Sequence, residues 1–562
     1  MNIKVFQFRL MILILLAMGA FSVTTYRLWD LHIVDNKFLQ EQGSKRALRT
    51  VPVVPFRGMI LDRNGNPLAI STPVKSVWVD PSEVDLTQKE WGQFAHLLNR
   101  NQNLLKTVIK SRKDKRFVYI KRHLSPVLGN QLEQLHLKGV FLQTEYKRFY
   151  PTGEVFSHVL GFTNVDHQGI QGLEQLYNEL LAGKHGSYKV LKDRTGKKVE
   201  GFEYEELPEN GKNITLSLDS RIQYIAYKAL KEAVHLNQAN AGTAVVLDVE
   251  TGEILAMVNQ PSFNPNTKIS IVDSRLRNRA VTDTFEPGSV IKAISMINIL
   301  QSGKYYPSSQ VDTSPGWVKV SGNVVKDIRN YGVVDLNTIM QKSSNVGIAK
   351  LTLSLPGEAL IDTFRKMGFG QRTASAYPGE ASGVLNEAAA KRPFGLATMA
   401  FGYGLTTTPL QLAQSFAILA NSGKSNPVTF IKRKEPFASE QVIHPDIAQV
   451  ICKMLQMTTQ RGGTATRASI PGYNVAGKTG TVRKVNQHGY SADEHVAVFA
   501  GFAPFNNPKV AIVVVVDNPT QGKFYGGQVA APVFAKIAYG TMRYLNVPQE
   551  SIKSQEYILA KY

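Results

Sequence analysis

Hydrophobic positions along the chain fall into three kinds of run, and each predicts a different element. Leu10 to Tyr26 (LMILILLAMGAFSVTTY) is 17 residues without a charge, a minimal bilayer span, which takes about 17–25 residues. Apolar residues at helical spacing predict helices at Ser220–Leu236, Val290–Leu300, Leu336–Leu353 and Thr408–Asn421. Short apolar runs bounded by turn residues predict strands at Thr243–Leu247, Ile254–Val258, Asn474–Arg483, Val496–Ala503 and Val510–Val516. The last is continuously apolar, so it belongs at the centre of a sheet. Strands at both ends of this region, with helices between, predict a mixed α/β (α+β) domain. Its sheet would join the first strands to the last in an antiparallel way.

The N-terminal third has a different texture. Val51-Pro52-Val53-Val54-Pro55 should be extended, and Asn64-Gly65 between apolar runs predicts a hairpin turn. From about 70 to 212, strand-like runs such as Phe117–Ile120 alternate with helical ones such as Ser125–Leu137, without repeats. The shifts divide the chain into a cytoplasmic stub 1–9, a transmembrane anchor 10–26, a connector 27–55, a pedestal 56–212 and a larger domain 213–562. A cleaved signal peptide is the competing reading of the first segment. Ala17-Met18-Gly19 is only a weak cleavage site and the apolar run continues past it, which favours an anchor with the rest exported.

Charge then narrows the partners. The chain carries 65 Lys+Arg against 44 Asp+Glu, a net +21, which first suggests nucleic acid, a membrane surface or an anionic polymer. The excess is spread: residues 1–200 hold 29 basic and 17 acidic side chains, and the remainder 36 and 27. On an exported, membrane-tethered chain, nucleic acid is not an expected partner. The densest stretch, Lys106–Arg122, has eight Lys/Arg and one acid, Asp114. It reads either as a site for an anion or as a solvated surface. The single cysteine, Cys452, excludes an internal disulfide and a cysteine-based zinc site.

Three short elements carry candidate chemistry. In Ser289-Val290-Ile291-Lys292 the hydroxyl and the amine share one helix face. A serine needs a base to become a nucleophile, and a lysine can be that base if burial or a second cation depresses its pKa. Ser343-Ser344-Asn345 lies within the helix predicted over Leu336–Leu353. Ser343 could relay a proton, while Asn345 could hold a substrate amide and place Lys292. In Lys478-Thr479-Gly480-Thr481, on a predicted strand, Gly480 lets another backbone come close, so that a peptide could add as an extra strand. Lys478 raises the local potential, and the Thr479 and Thr481 hydroxyls could take a terminal carboxylate. Each element alone is commonplace: a surface Ser–Lys pair, a polar helix patch, an ordinary edge strand.

The ordered set is specific. With it the chain resembles the class B penicillin-binding proteins, monofunctional peptidoglycan D,D-transpeptidases, with the greatest likeness to the septal, division-specific type. Arg57–Ala69, Gly161–Asn164 and Gly169–Glu174 look like that family's N-terminal motifs. Phe285–Ser289, Gly402–Leu405 with Thr408–Leu412, and Tyr525–Gly527 with Ala531–Phe534 look like those of its catalytic domain. Ala293 and Val482 depart from the common residues without removing a reactive group.

The resemblance implies a penicillin-binding, serine D,D-peptidase-type domain with an antiparallel sheet and helices, on an elongated mixed pedestal. It implies Ser289 as nucleophile, Lys292 as base and Ser343 as proton relay, with Asn345, Lys478, Thr479, Gly480 and Thr481 binding substrate. No metal or organic cofactor is called for. The implied partners are D-Ala-D-Ala stem peptides, β-lactams, the lipid bilayer, a membrane-embedded glycan polymerase and other division proteins. The implied location is the bacterial inner membrane, with the catalytic domain in the periplasm at the septum. An elongation-type transpeptidase, a non-catalytic β-lactam sensor and a β-lactamase are the rivals. The last would need a Glu in a Glu-x-x-Leu-Asn element, and Ser382-Gly383-Val384-Leu385-Asn386 has serine there.

Overall fold

The computed structural model describes residues 3–39, 48–192, 198–267, 270, 272–435, 437–487 and 489–550. Residues 40–47 of the predicted connector lie outside that set. The chain forms two compact units, Met1–Arg57 with Ala182–Gly211, and Gly58–Leu181 with Lys212–Tyr562.

In the first unit, helix α1 runs from Ile3 to Trp29 and continues as a π-turn to Val34. It is long and apolar enough to cross a membrane. The helix begins at Ile3 rather than Leu10, because nothing between those residues breaks a helix, so most of the predicted stub is helical. Leu48–Val53, extended as its prolines require, pairs antiparallel with Gly186–Lys192, which in turn pairs with Lys198–Glu206.

The second unit opens with the predicted hairpin. Ile60–Leu61 turns through Asn64-Gly65 into strand β1 (Pro67–Val79). Buried Asp62 holds the turn by accepting the Asn64 and Asn66 N–H groups, both at 2.8 Å. Its other oxygen accepts the Ser220 hydroxyl at 2.6 Å, and Asn64 donates to Asp219 at 2.9 Å. The hairpin is thus stitched to the start of the helix that begins at Ser220. Strand β1 pairs antiparallel with β2 (Val118–Leu124) on one side and β3 (Val140–Phe149) on the other. Val77, Val79, Val118 and Ile120 face inward, onto Phe94, Leu98 and Ile109. Buried Arg148 on β3 donates to buried Glu174 at 2.6 Å.

Helix α2 (Ser220–Leu236) has the predicted bounds, with Asp219 as its N-cap. Strands β4 (Ala241–Asp248) and β5 (Ile254–Gln260) follow, then helices α3 (Lys292–Gln301), α4 (Leu336–Lys342), α5 (Asn345–Leu353), α6 (Pro409–Ala420) and α7 (Pro445–Thr459). Strands β6 (Ala476–Asn486), β7 (Gly489–Ala503) and β8 (Val510–Asp517) lead to helix α8 (Gly526–Tyr544). The five strands form one antiparallel sheet in the order β5-β4-β8-β7-β6. The apolar run Val510–Val516 is therefore the middle strand, as its composition requires. Helices α2 and α8 cover one face through Ile222, Leu230, Phe534 and Ile537. Helix α6 covers the other through Leu410, Ala413 and Phe416, started by a Thr408–Gln411 capping box. Strand β6 is left at the edge.

Two predicted helices differ from expectation. Val290–Leu300 begins as a 3₁₀ turn, Gly288–Ile291, before α3 takes over. Leu336–Leu353 is two helices, broken at Ser343 and Ser344. Both departures fall on residues expected to carry chemistry.

Candidate active site

The tight turn at Gly288–Ile291 aligns the first pair. A 3₁₀ helix has three residues per turn, so side chains at i and i+3 eclipse, which puts Ser289 above Lys292. The turn is braced from behind. The Gly288 N–H donates to Gly402 O at 3.1 Å, and Phe285 and Thr407 exchange backbone hydrogen bonds at 3.0 and 2.9 Å. Gly402 has φ +95°, and a Cβ there would lie 2.1 Å from Gly288 O. Only glycine allows that approach. The Glu286 carboxylate accepts the Gly404 N–H at 2.8 Å and the Tyr490 hydroxyl at 3.1 Å. Burial raises the Glu286 pKa, against both hydrogen bonds. Sequence reasoning singled out Gly402–Leu405 without a role; its role here is to brace the nucleophile turn.

Ser343 sits in the left-handed region at φ 61°, ψ 42°, where it ends α4. That conformation is uncommon for a residue with a side chain. It aims the Ser343 carbonyl at Lys292 Nζ, 2.6 Å away. Lys292 also donates to Ser343 Oγ at 3.2 Å and Asn345 Oδ1 at 2.7 Å, while Lys478 Nζ donates to the same Oγ at 2.9 Å. Ser344 then caps α5, accepting the Gly347 N–H at 2.9 Å.

The break is secured by Asp327, which sequence reasoning missed. Its Oδ1 accepts the backbone N–H groups of Asn345 and Val346, and its Oδ2 accepts the Ser344 hydroxyl. The Asn345 amide donates to Lys326 O at 3.1 Å. Asp327 follows a small hairpin, Trp317–Val320 with Asn323–Lys326. It stands outside all three motifs, so no local signal marks it.

Both lysines are fully buried. Burial holds the Lys292 pKa well below its ordinary value, and the Lys478 charge pushes it further down, while Asp327 opposes. Burial brings Lys478 to about 7. Both amines therefore give up a proton more readily than an exposed lysine, and a neutral amine can serve as a base.

On β6, a Cβ at Gly480 would lie 2.7 Å from Pro287 O and 2.8 Å from Val290 Cγ2. The backbone that comes close to Gly480 is thus that of the nucleophile turn. Thr481 Oγ1 accepts the Gly526 N–H at 3.0 Å, and Thr479 Oγ1 donates to Thr464 Oγ1 at 3.2 Å. The two hydroxyls expected to take a carboxylate each have one protein partner.

Ser289, Ser343, Asn345, Thr479 and Thr481 line a single cavity of about 470 Å³. Lys292 and Lys478 sit behind that lining, each hydrogen-bonded to Ser343 Oγ, and Gly480 packs beneath the turn. All eight predicted residues are thus brought together. Thr464, Arg467 and Gln528 join the lining; Gln528 directly follows the Tyr525–Gly527 motif, whereas nothing in the sequence around Thr464 and Arg467 marked them. Asp327 is the one carboxylate on that lining among the described residues, and both its oxygens are occupied. Ser382–Asn386 does not line the cavity; the Ser382 carbonyl accepts from Gln411 instead, at 2.6 Å.

Comparison with known proteins agrees with this geometry. The penicillin binding protein transpeptidase domain model matches residues 242–539, and the penicillin-binding protein dimerisation domain model matches residues 52–216. The chain belongs to the penicillin-binding protein transpeptidase family. It is 38% identical over 527 residues to the peptidoglycan D,D-transpeptidase FtsI of Escherichia coli K12, covering 93% of this chain and 89% of that protein. It is 37% identical over 547 residues to the probable peptidoglycan D,D-transpeptidase PbpC of Pseudomonas aeruginosa, covering 97% of each. Its fold is similar to the crystal structure of penicillin binding protein 3 from Mycobacterium tuberculosis complexed with aztreonam. There the TM-score is 0.68 at 28% identity, covering 89% of this chain and 98% of that one. The resemblance read from the motifs is upheld.

Proposed function

We propose that this chain is a peptidoglycan D,D-transpeptidase, crosslinking D-Ala-D-Ala stem peptides through an acyl-serine at Ser289 during septal wall synthesis. One observation carries the reading: two buried lysines converge on the Ser343 hydroxyl, in the cavity that Ser289 opens into, beside an edge strand.

The donor peptide adds along β6 as a further strand. Lys292, in its neutral form, takes the Ser289 proton as Oγ attacks the carbonyl of the penultimate D-Ala. The main-chain N–H groups of Ser289 and Thr481 stabilise the oxyanion, each such donor being worth about 2.7–4 kcal/mol. The bond to the terminal D-Ala breaks, and Ser343, in contact with both lysines, passes a proton to the leaving amine. An amine from a neighbouring stem peptide then attacks the ester, forms the crosslink and frees Ser289. Asn345 orients the peptide and Lys292, while Lys478, Thr479 and Thr481 face the terminal carboxylate.

β-Lactams acylate Ser289 in the same way. Among the described residues, no carboxylate on the cavity lining is free to activate a deacylating water, which favours a persistent adduct over a β-lactamase. Helix α1 anchors the chain in the inner membrane with 213–562 as the periplasmic catalytic domain. Residues 56–212 serve as the pedestal for division proteins and a glycan polymerase.

Labelled penicillin should give one stable adduct, absent in Ser289→Ala. With polymerase and lipid-linked precursor supplied, the parent should crosslink the product. Rapid loss of the adduct would mean a β-lactamase, and an adduct without crosslinking would mean a sensor. Depletion should give filaments; round cells would move the duty to elongation.

A further inference from the structure

Away from the active site, one surface joins exposed rings to unpaired cations, and the chemistry above uses neither. On the outward face of the β1–β3 sheet, Trp78 stands opposite Tyr119 on β2 and Phe141 on β3. An antiparallel sheet ordinarily carries polar side chains on its solvated face. Here Trp78 stacks on Phe117 at 4.6 Å and on Phe141 at 4.4 Å, and Tyr119 meets Phe117 edge-on at 4.7 Å. Phe117, Tyr119 and Phe141 remain 44%, 36% and 37% exposed. The core is served by the opposite face of the same strands, so these rings are not needed there.

The end of the helix Gln102–Lys110 and the loop from it into Phe117 supply the charge. Lys110, Arg112, Lys113 and Lys115 are exposed and have no ion-pair partner among the described residues. Arg116 fastens the loop by donating to Ser82 at 2.9 Å and pairing with Asp80 at 3.6 Å. That contact lies just past Val79, so the cations gather at the Trp78–Phe117 end. At the other side of Tyr119, Arg122 is neutralised by Glu145 and Asp166.

We infer that this surface is a second binding site for peptidoglycan, an anionic glycan, holding the polymer while Ser289 works on its free stem peptides. The inference rests on the transpeptidase reading. A ring face is electron-rich and its edge electron-poor. Pyranose C–H groups therefore suit the face of Phe141, which ends the column on an edge strand, and sugar oxygens suit the ring edges. Every uncrosslinked stem peptide ends in a carboxylate, and these meet the loop cations.

The test uses the detergent-solubilised full chain, with Ser289 already acylated by penicillin so that the active site contributes no binding. It is cosedimented with purified sacculi at rising salt. Trp78→Ala with Phe141→Ala should lower the bound fraction about ten-fold. Arg112→Gln with Lys113→Gln and Lys115→Gln should lower it about five-fold and flatten its salt dependence. Labelled-penicillin acylation, read separately, should be unchanged in both. If the ring variant fails to acylate, the loop variant, whose changed side chains are all exposed, decides alone. The inference falls if the loop variant sediments like the parent, or if the blocked parent ignores sacculi. A parent that ignores sacculi while the loop variant loses division would mark the surface as a dock for an acidic protein. A parent that is never acylated would overturn the transpeptidase reading instead.

Discussion

Lysine appears in the larger unit in two opposite settings. Lys292 and Lys478 lie wholly buried beside a five-stranded sheet that is covered on both faces. Lys110, Lys113 and Lys115 stand exposed at the rim of a sheet that is covered on one. The side chain is the same, but the chemistry is not. Burial brings Lys478 to about 7, and burial with the Lys478 charge holds Lys292 well below its ordinary value, so both part with a proton more readily than an exposed lysine. The second set, exposed to solvent, is placed to meet an anionic partner. The fold sets the function of each lysine by what it withholds from solvent. Strong support is the cost of the buried setting: three acceptors for Lys292, a left-handed Ser343, and Asp327 behind both.

That contrast can be broken step by step. Lys292→Ala should slow penicillin acylation the most, by about 10²–10⁴-fold, the usual contribution of a general base; stopped-flow acylation at unchanged rate would remove it as base. Asp327→Asn should slow acylation by about 10²-fold through displacement of the Ser343–Asn345 turn, with the melting temperature recorded alongside to separate misplacement from unfolding. Lys478→Ala removes the cation that lowers the Lys292 pKa. Acylation needs neutral Lys292 and so rises with pH through that pKa; the rising limb should move to higher pH, with a loss of roughly ten-fold at neutrality. A limb that stays in place would show the two amines to be uncoupled. Tyr490→Phe deletes one hydrogen bond to Glu286 and should cost about three- to ten-fold in acylation. Lys113→Gln should leave acylation unchanged and stability within about 0.5 kcal/mol.

Much of the fold could be read from the sequence, for reasons that differ between elements. The valine run at 510–516 announces a middle strand because both its faces are covered. Ser220–Leu236 announces a helix because its apolar residues recur at helical spacing behind Asp219. The Leu336–Leu353 pattern is equally apolar, and it misled: periodicity records which side faces the core and is blind to a single left-handed residue. Ser344 preceding Asn345 is a helix-start signal that could have warned of the break. The three motifs, read in order along the chain, named eight residues that the fold gathers about one cavity. Asp327 was invisible because its work, holding a turn from across a hairpin, leaves no local trace.

The close fit of Gly480 against Pro287 has a bearing on drug resistance. In the mechanism proposed above, a β-lactam and the natural peptide would draw on the same main-chain N–H groups of Ser289 and Thr481, and no side-chain substitution removes a main-chain N–H. Escape must come by moving the strand that carries one of them. A Cβ at Gly480 would meet Pro287 O at 2.7 Å, so the strand cannot shift without disturbing the nucleophile. Mutants that exclude the drug by this route should carry a matching deficit in wall synthesis, repaired only by second changes elsewhere in the brace.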